Sequence, residues 1–249
     1  ATSTAITIDA SQNVGIGTSA PEAELHIAKS TSGGRGGTLV IENSNSSILN
    51  NEVQITFLTD SGASLAGISN ARIKTINTDA ASGAAALTFT TWSGSAEGER
   101  MRIDGAGRVA MPYQPAFRAR GTSAQTETSG WKQLLFTTDV QTRTSAYNSA
   151  TSRFTAPISG WYQFNTSWTA LSNADNDGTV IISVNDSVDN VIASVSMPNT
   201  SQAFSGHSVS GCAYITANDY VTVQRYSSVT TTTRSSIQYG SYFSGYLIG

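Results

Sequence analysis

Strand-length runs in which apolar and polar residues alternate, each closed within a few positions by Gly, Ser, Asn or Asp, fill this chain from end to end. Ile6-Thr7-Ile8, Val53-Gln54-Ile55-Thr56-Phe57 and Val221-Thr222-Val223 are examples. A period of two puts alternate side chains on opposite faces of a pleated strand, whereas a helix needs apolar residues every third or fourth position. Almost no stretch has the helical spacing. The exception is Ala20-Pro21-Glu22-Ala23-Glu24, where an early Pro and an acidic first turn suit the start of a short helix. The chain therefore reads as all-β.

Composition narrows what such a chain can do. Only 12% of its 249 residues are charged, and Ser, Thr, Asn and Gly fill the gap, so the surface is mostly hydroxyl and amide. Disorder does not fit a net charge of −3 with 39% apolar residues. Nucleic acid does not fit 14 scattered Lys and Arg. No apolar run approaches the ~20 residues that span a bilayer, so membrane insertion is not expected. The start, Ala1-Thr2-Ser3-Thr4, lacks Met and a leader pattern, which suggests a piece of a longer protein. The lone cysteine, Cys212, cannot form an intrachain disulfide. Its setting in Gly-Cys-Ala-Tyr-Ile predicts a buried small hydrophobe.

Aromatics are sparse before Pro112-Tyr113-Gln114-Pro115 and dense after it, and two prolines interrupt strand pairing. This predicts a β-rich shaft over 1–111, a linker at 112–115 and a head over 116–249. The first part contains a weak repeat. Thr7-Ile8-Asp9-Ala10-Ser11-Gln12-Asn13-Val14-Gly15-Ile16-Gly17 matches Arg102-Ile103-Asp104-Gly105-Ala106-Gly107-Arg108-Val109-Ala110-Met111-Pro112 as a strand, a polar turn and a second strand. Further hairpins are expected around Asp60-Ser61-Gly62 and Asp79-Ala80-Ala81-Ser82-Gly83. So few large side chains cannot bury a core within a single copy. Three chains wound about one axis would give each apolar face a partner.

Two resemblances add to this reading. Asn13-Val14-Gly15-Ile16-Gly17-Thr18-Ser19-Ala20-Pro21, followed by Leu25-His26-Ile27, resembles a motif of bacteriophage tail fibres and related surface adhesins. The resemblance implies an intertwined, trimeric β shaft, with Val14, Gly15, Ile16, Gly17, Pro21 and Leu25 as its motif residues. Phe154-Thr155-Ala156-Pro157-Ile158-Ser159-Gly160-Trp161-Tyr162-Gln163-Phe164 is similar to the signature of the complement globular-head and tumour-necrosis-factor-like jelly roll. Ala217-Asn218-Asp219-Tyr220-Val221 resembles a later turn of that family, and Phe243-Ser244-Gly245-Tyr246-Leu247-Ile248 resembles its last strand. This second resemblance implies a ten-stranded antiparallel sandwich that assembles as a homotrimer, with its termini at the base and its partner at the distal loops. Phe154, Pro157, Gly160, Tyr162, Phe164, Phe243 and Gly245 would form its fold signature, with Gly160 in the turn; Trp161, Tyr162 and Trp168 read as sandwich core, and the family geometry would put Tyr239 and Tyr242 near the trimer axis or a groove between subunits.

No catalytic set emerges. His26 and His207 are far apart, no nucleophile-elbow pattern occurs, and ligands for zinc do not cluster. Calcium is the one cofactor that the residues raise, at Asp175-Asn176-Asp177-Gly178. A short acidic run lacks the six or more oxygens calcium takes, and the segment reads as a tight turn. Some members of the jelly-roll family bind calcium after the fifth strand, but here Met197 to Gly211 holds no carboxylate. The expectation is a non-enzymatic viral receptor-binding fibre on the virion surface, without a cofactor. It would meet other virion proteins at its N-terminus and a host cell-surface glycan or protein at its head. Asn173, Asp175, Asn176, Asp177 and Tyr226 are the candidate receptor contacts. A bacterial surface adhesin and a glycan-degrading tail enzyme are the alternatives.

Overall fold

A computed structural model of the chain describes residues 5–45, 48–59, 70–121, 129–171, 178–197, 204–227 and 241–249. The chain divides into two compact units, Ala1–Ala110 and Met111–Gly249. Among the described residues all regular structure is β.

The first unit contains β1 (Ile6–Ile8), β2 (Val14–Ile16), β3 (Leu25–Ile27), β4 (Glu52–Leu58), β5 (Asn70–Asp79), β6 (Ala84–Trp92), β7 (Glu97–Ile103) and β8 (Val109–Ala110). β1 and β2 form a hairpin, and β3 joins β2 in parallel. β4 to β8 form an antiparallel meander. The repeat in the sequence is a repeat in structure. Asp9 Oδ1 accepts the backbone N–H groups of Ser11 and Asn13, both at 2.9 Å. Asp104 Oδ1 accepts those of Ala106 and Arg108, at 2.9 and 3.0 Å. The third residue after each Asp lies in the left-handed region, Gln12 at φ 67° and Gly107 at φ 80°. The Asp side chain thus supplies the acceptor that folds the turn.

The helix expected at 20–24 does not form. β2 and β3 run parallel, so residues 17–24 must cross over, and their backbone donors find side chains instead. Thr18 Oγ1 accepts from Ala20 N–H at 3.2 Å, and His26 Nδ1 accepts from Glu22 N–H at 3.3 Å. The motif glycines have a steric reason. A Cβ on Gly15 would lie 2.6 Å from the Thr18 carbonyl, and Gly17 sits at φ +76° against the Ala28 carbonyl.

The second unit contains β9 (Ala116–Arg120), β10 (Gly130–Gln133), β11 (Thr138–Arg143), β12 (Tyr147–Asn148), β13 (Arg153–Thr155), β14 (Gly160–Leu171), β15 (Gly178–Val184), β16 (Val191–Met197), β17 (Phe204–Ile215), β18 (Tyr220–Ser227) and β19 (Tyr242–Leu247). One sheet has the order β11-β9-β19-β14-β17; the other runs β12-β13-β18-β15-β16, with β10 also on β18. The described strands exceed the expected ten by one. The edge of β18 away from β15 is shared by two separate pieces, β10 along Gln224–Ser227 and β13 along Tyr220–Val221.

Between the sheets lies an aromatic core of Phe117, Phe136, Tyr147, Phe154, Tyr162, Phe164, Trp168 and Phe243. Burying each such ring stabilises the fold by about 1.5–3 kcal/mol before entropy is counted. The Tyr147 hydroxyl donates to the Phe136 carbonyl at 2.7 Å, and burial pushes its pKa up to about 12. The turn before β14 is made by Pro157, Ile158 and Ser159; Gly160 is the first strand residue. A Cβ on Gly160 would meet the flexible end of Leu247 at 2.8 Å, whereas one on Gly245 would lie 2.5 Å from Phe164 and 2.9 Å from Phe117. Gly245 is therefore the stricter glycine. Gly245→Ala should lower stability of this unit by about 1–3 kcal/mol through overpacking, and Gly160→Ala by less. Urea melts of both variants measure this, and an unchanged midpoint for Gly245→Ala would contradict the packing.

Candidate functional site

Because Tyr162, Phe164 and Trp168 of β14 point inward, the alternate residues Trp161, Gln163, Asn165 and Ser167 point outward. Register extends this outer face across the sheet. Trp161 lies opposite Tyr214, Gln163 lies between Cys212 and Tyr246, and Asn165 lies between Ser210 and Ser244. Trp161, Tyr214 and Tyr246 are 52%, 57% and 50% exposed. The Trp161 and Tyr214 rings meet edge to face at 6.1 Å. Toward the other end the face turns basic. Arg118 stands 5.7 Å over the Tyr242 ring, and Asp139 bridges Arg118 at 3.7 Å and Arg120 at 3.6 Å. A groove of about 660 Å³ runs along it between Arg118, Arg143, Asn165 and Tyr246.

Two expectations change here. Cys212 is exposed rather than buried, because the inward positions of β17 are taken by Ala213 and Ile215. Trp161, expected in the core, is on the outer face for the same reason. Trp161 and Tyr214 share one outward row and Tyr246 stands in the next, on a sheet whose other face packs the core.

The topology also gathers the connections. Arg120 pairs with Tyr242, Leu171 with Phe204, Gly178 with Met197 and Gly130 with Ser227. Strands β9, β14, β16 and β18 therefore finish, and β10, β15, β17 and β19 begin, at one end, from which connections 121–129, 172–177, 198–203 and 228–241 leave; the other links between the sheets, 144–146, 156–159 and 216–219, lie at the opposite end. The chain enters at Ala116, at the opposite end, where Ala116 pairs with Tyr246. Asn173, Asp175, Asn176 and Asp177 belong to connection 172–177, outside the described residues. So do Tyr239 and the hairpin expected at Asp60-Ser61-Gly62. Tyr226 is on β18 near the loop end, exposed, with its ring 5.5 Å from that of Trp131. At the entry end Asp186 accepts hydrogen bonds from Arg153 at 2.6 Å, Tyr220 at 3.0 Å and Thr222 at 2.7 Å. No local pattern in the sequence joins these residues. Among the described residues no three His, Cys, Asp or Glu converge as metal ligands. His207 is half-buried on β17, and burial lowers its pKa.

A family model described as C1q domain matches residues 116–248, more than half of the chain. The chain belongs to the C1q-domain family. Domains of this family and of the related tumour-necrosis-factor-like fold typically form homotrimers and bind receptors. Among solved structures, the globular domain of zebrafish complement 1qA is 22% identical, with a TM-score of 0.38 over 55% of this chain and 98% of that one. Murine APRIL, in a crystal structure at pH 5.0, is 10% identical, with a TM-score of 0.40 over 54% of this chain and 99% of that one. No curated protein matches the chain.

The first unit has a second, partly uncovered face. On one side of the meander, Lys74 pairs with Glu97 at 2.9 Å and Glu52 at 3.6 Å, Arg72 pairs with Glu97, and Arg102 pairs with Glu99. Thr88 and Thr90 are buried beneath these side chains. On the other side the register aligns Ile55, Ile73, Phe89 and Met101 in one row, and Val53, Thr75, Leu87 and Ile103 in the next. Ile55 and Phe57 remain 45% and 52% exposed. The charged side is closed by its own ion pairs, and the apolar side is only partly covered, with Leu39 and Ile41 bordering Val53, Ile55, Ile73 and Leu87.

Glu97 titrates below the ordinary carboxylate value. Burial raises its pKa, but the neighbouring Thr90 hydroxyl and the paired cations Lys74 and Arg72 outweigh that. A depressed folded-state pKa means that its contribution is present above the unfolded value and is lost as pH falls through the folded one. The first unit should therefore melt earlier as pH drops below about 4.5. Glu97→Gln should melt earlier at neutral pH and show a flatter acid dependence. Thermal melts between pH 7 and 3 check both, and an acid slope unaltered by the substitution would contradict the assignment.

Proposed function

We propose that the chain is a receptor-binding attachment fibre: a homotrimer whose C1q-type head engages a host cell-surface glycan or protein without catalysis and without a cofactor. The observation that carries this reading is the arrangement of the head. Its exposed aromatic sheet face supports self-association, and connections 121–129, 172–177, 198–203 and 228–241 start at the end away from chain entry, where a partner would be met. The partly covered apolar side of the meander supports a shaft in which copies of the first unit cover one another. The motif from Asn13 to Pro21 supports a viral fibre of the bacteriophage kind, displayed on the virion surface and joined to other virion proteins at its N-terminus. A bacterial surface adhesin built from the same parts is the neighbouring reading.

Light scattering with gel filtration should give three times the 26.1 kDa chain mass. Trp161→Glu combined with Tyr214→Glu should weaken head association, because two carboxylates would be desolvated on the shared face. Cys212, the only cysteine, should react slowly with a thiol reagent in the wild type and quickly in that double variant. A monomer with a fully reactive Cys212 would overturn the trimer. Purified chain should block adsorption of the particle that carries it while leaving host polysaccharide intact. Loss of the polysaccharide would replace binding by degradation.

A further inference from the structure

The outer face of the β18-containing sheet is not the face assigned above to self-association, and it carries a row without charge. Register places Trp131, Tyr226, Thr179 and Ser196 side by side on β10, β18, β15 and β16. The two rings lie 5.5 Å apart, tilted by 57°, and Tyr226 is 40% exposed. Thr179 and Ser196 share a hydrogen bond between their hydroxyls at 3.3 Å. The next row, Gln133, Gln224, Ile181 and Ser194, is also uncharged. Its amides are held in place: Gln224 donates to Ser183 Oγ at 3.1 Å, and Gln133 donates to the Thr151 carbonyl at 2.7 Å. The platform therefore rests on fixed neighbours and stands at the end opposite chain entry, where β10 and β15 begin and β16 and β18 finish.

We propose that this row binds a neutral saccharide, with Trp131 and Tyr226 stacking on the C–H face of one sugar ring and Thr179 and Ser196 bonding the hydroxyls of the next. Four strands at a spacing near 4.8 Å span roughly 14 Å, enough for a short oligosaccharide. Aromatic faces suit an apolar ring face, and hydroxyls both donate and accept, as a sugar hydroxyl requires. A row without charge gives an anionic or cationic ligand no counter-ion. A folded protein partner would need roughly 800 Å² of complementary surface, far more than one row supplies. The rival explanation is a cross-strand aromatic pair that only stabilises the sheet.

The inference rests on the reading of this unit as a receptor-binding head. The test uses the full chain on an array of neutral oligosaccharides of hexoses and N-acetylhexosamines, with sialylated and sulfated counterparts alongside. Binding to a neutral member is expected, about tenfold weaker or worse in Trp131→Ala and in Tyr226→Ser, and near wild type in Tyr226→Phe and Lys132→Ala. Melting temperature and particle mass should stay unchanged in Tyr226→Ser, an exposed position, which separates lost binding from lost fold. Selective binding of the charged glycans alone, no glycan binding, or full neutral-glycan binding by both Trp131→Ala and Tyr226→Ser would overturn the platform. Adsorption blocking by the same variants judges the head separately. A Tyr226→Ser chain that still blocks adsorption fully leaves the receptor-binding reading standing and removes the saccharide row, whereas wild-type chain that blocks nothing removes the reading itself.

Discussion

The ring of Phe117 organises the head. It stacks on Tyr147 at 4.7 Å and on Phe154 at 5.0 Å, and meets the edge of Phe243 at 4.8 Å. These residues come from both sheets, so the contact fixes how the two layers face one another. It also fixes the parity of every strand it touches. Once Phe117 and Phe243 point inward, Arg118, Ser244, Tyr246 and Tyr242 must point outward, since a strand has only two faces. Gly245 completes the lock, because the space its side chain would take is filled by Phe164 and Phe117. The outer face with Trp161 and Tyr214 is thus a consequence of the core.

The two units meet the burial requirement differently. The head encloses its largest side chains within one copy, and its exposed rings are a surplus displayed on top of a finished core. The first unit has no such enclosure. Its meander closes the charged side with ion pairs among Arg72, Lys74, Glu52, Glu97, Arg102 and Glu99, while Ile55 and Phe57 stay half in solvent. A single sheet can shield one face with its own long side chains, but apolar rows need a second layer.

Much of this could be read from the residues because it is local. The Asp9 and Asp104 turns repeat in sequence and in hydrogen bonding, as an Asp side chain reaches only its next few backbone donors. The alternation around Tyr162 and Phe164 marked a strand and its buried side. The short helix at 20–24 misled because an acidic turn after Pro describes a helix start only if the backbone is free to continue; here the parallel pairing of β2 and β3 takes it. Cys212 and Trp161 misled because an apolar setting along the chain does not say which of two faces an individual residue takes. Anchoring the alternation of β14 on Tyr162 would have turned Trp161 outward.

The sequence by itself determined the all-β class and the change of character near residue 112, since each depends on composition or on spacing within one strand or turn, and its likeness to the jelly-roll signature placed the fold of the head. Only the tertiary structure decided which side chains share a face. Trp131 and Tyr226, or Trp161 and Tyr214, are distant along the chain and become neighbours through register alone. The Asp186 cluster with Arg153, Tyr220 and Thr222 arises the same way. Pairing between remote strands is set by the packing of the whole sandwich, and no short stretch of residues encodes it.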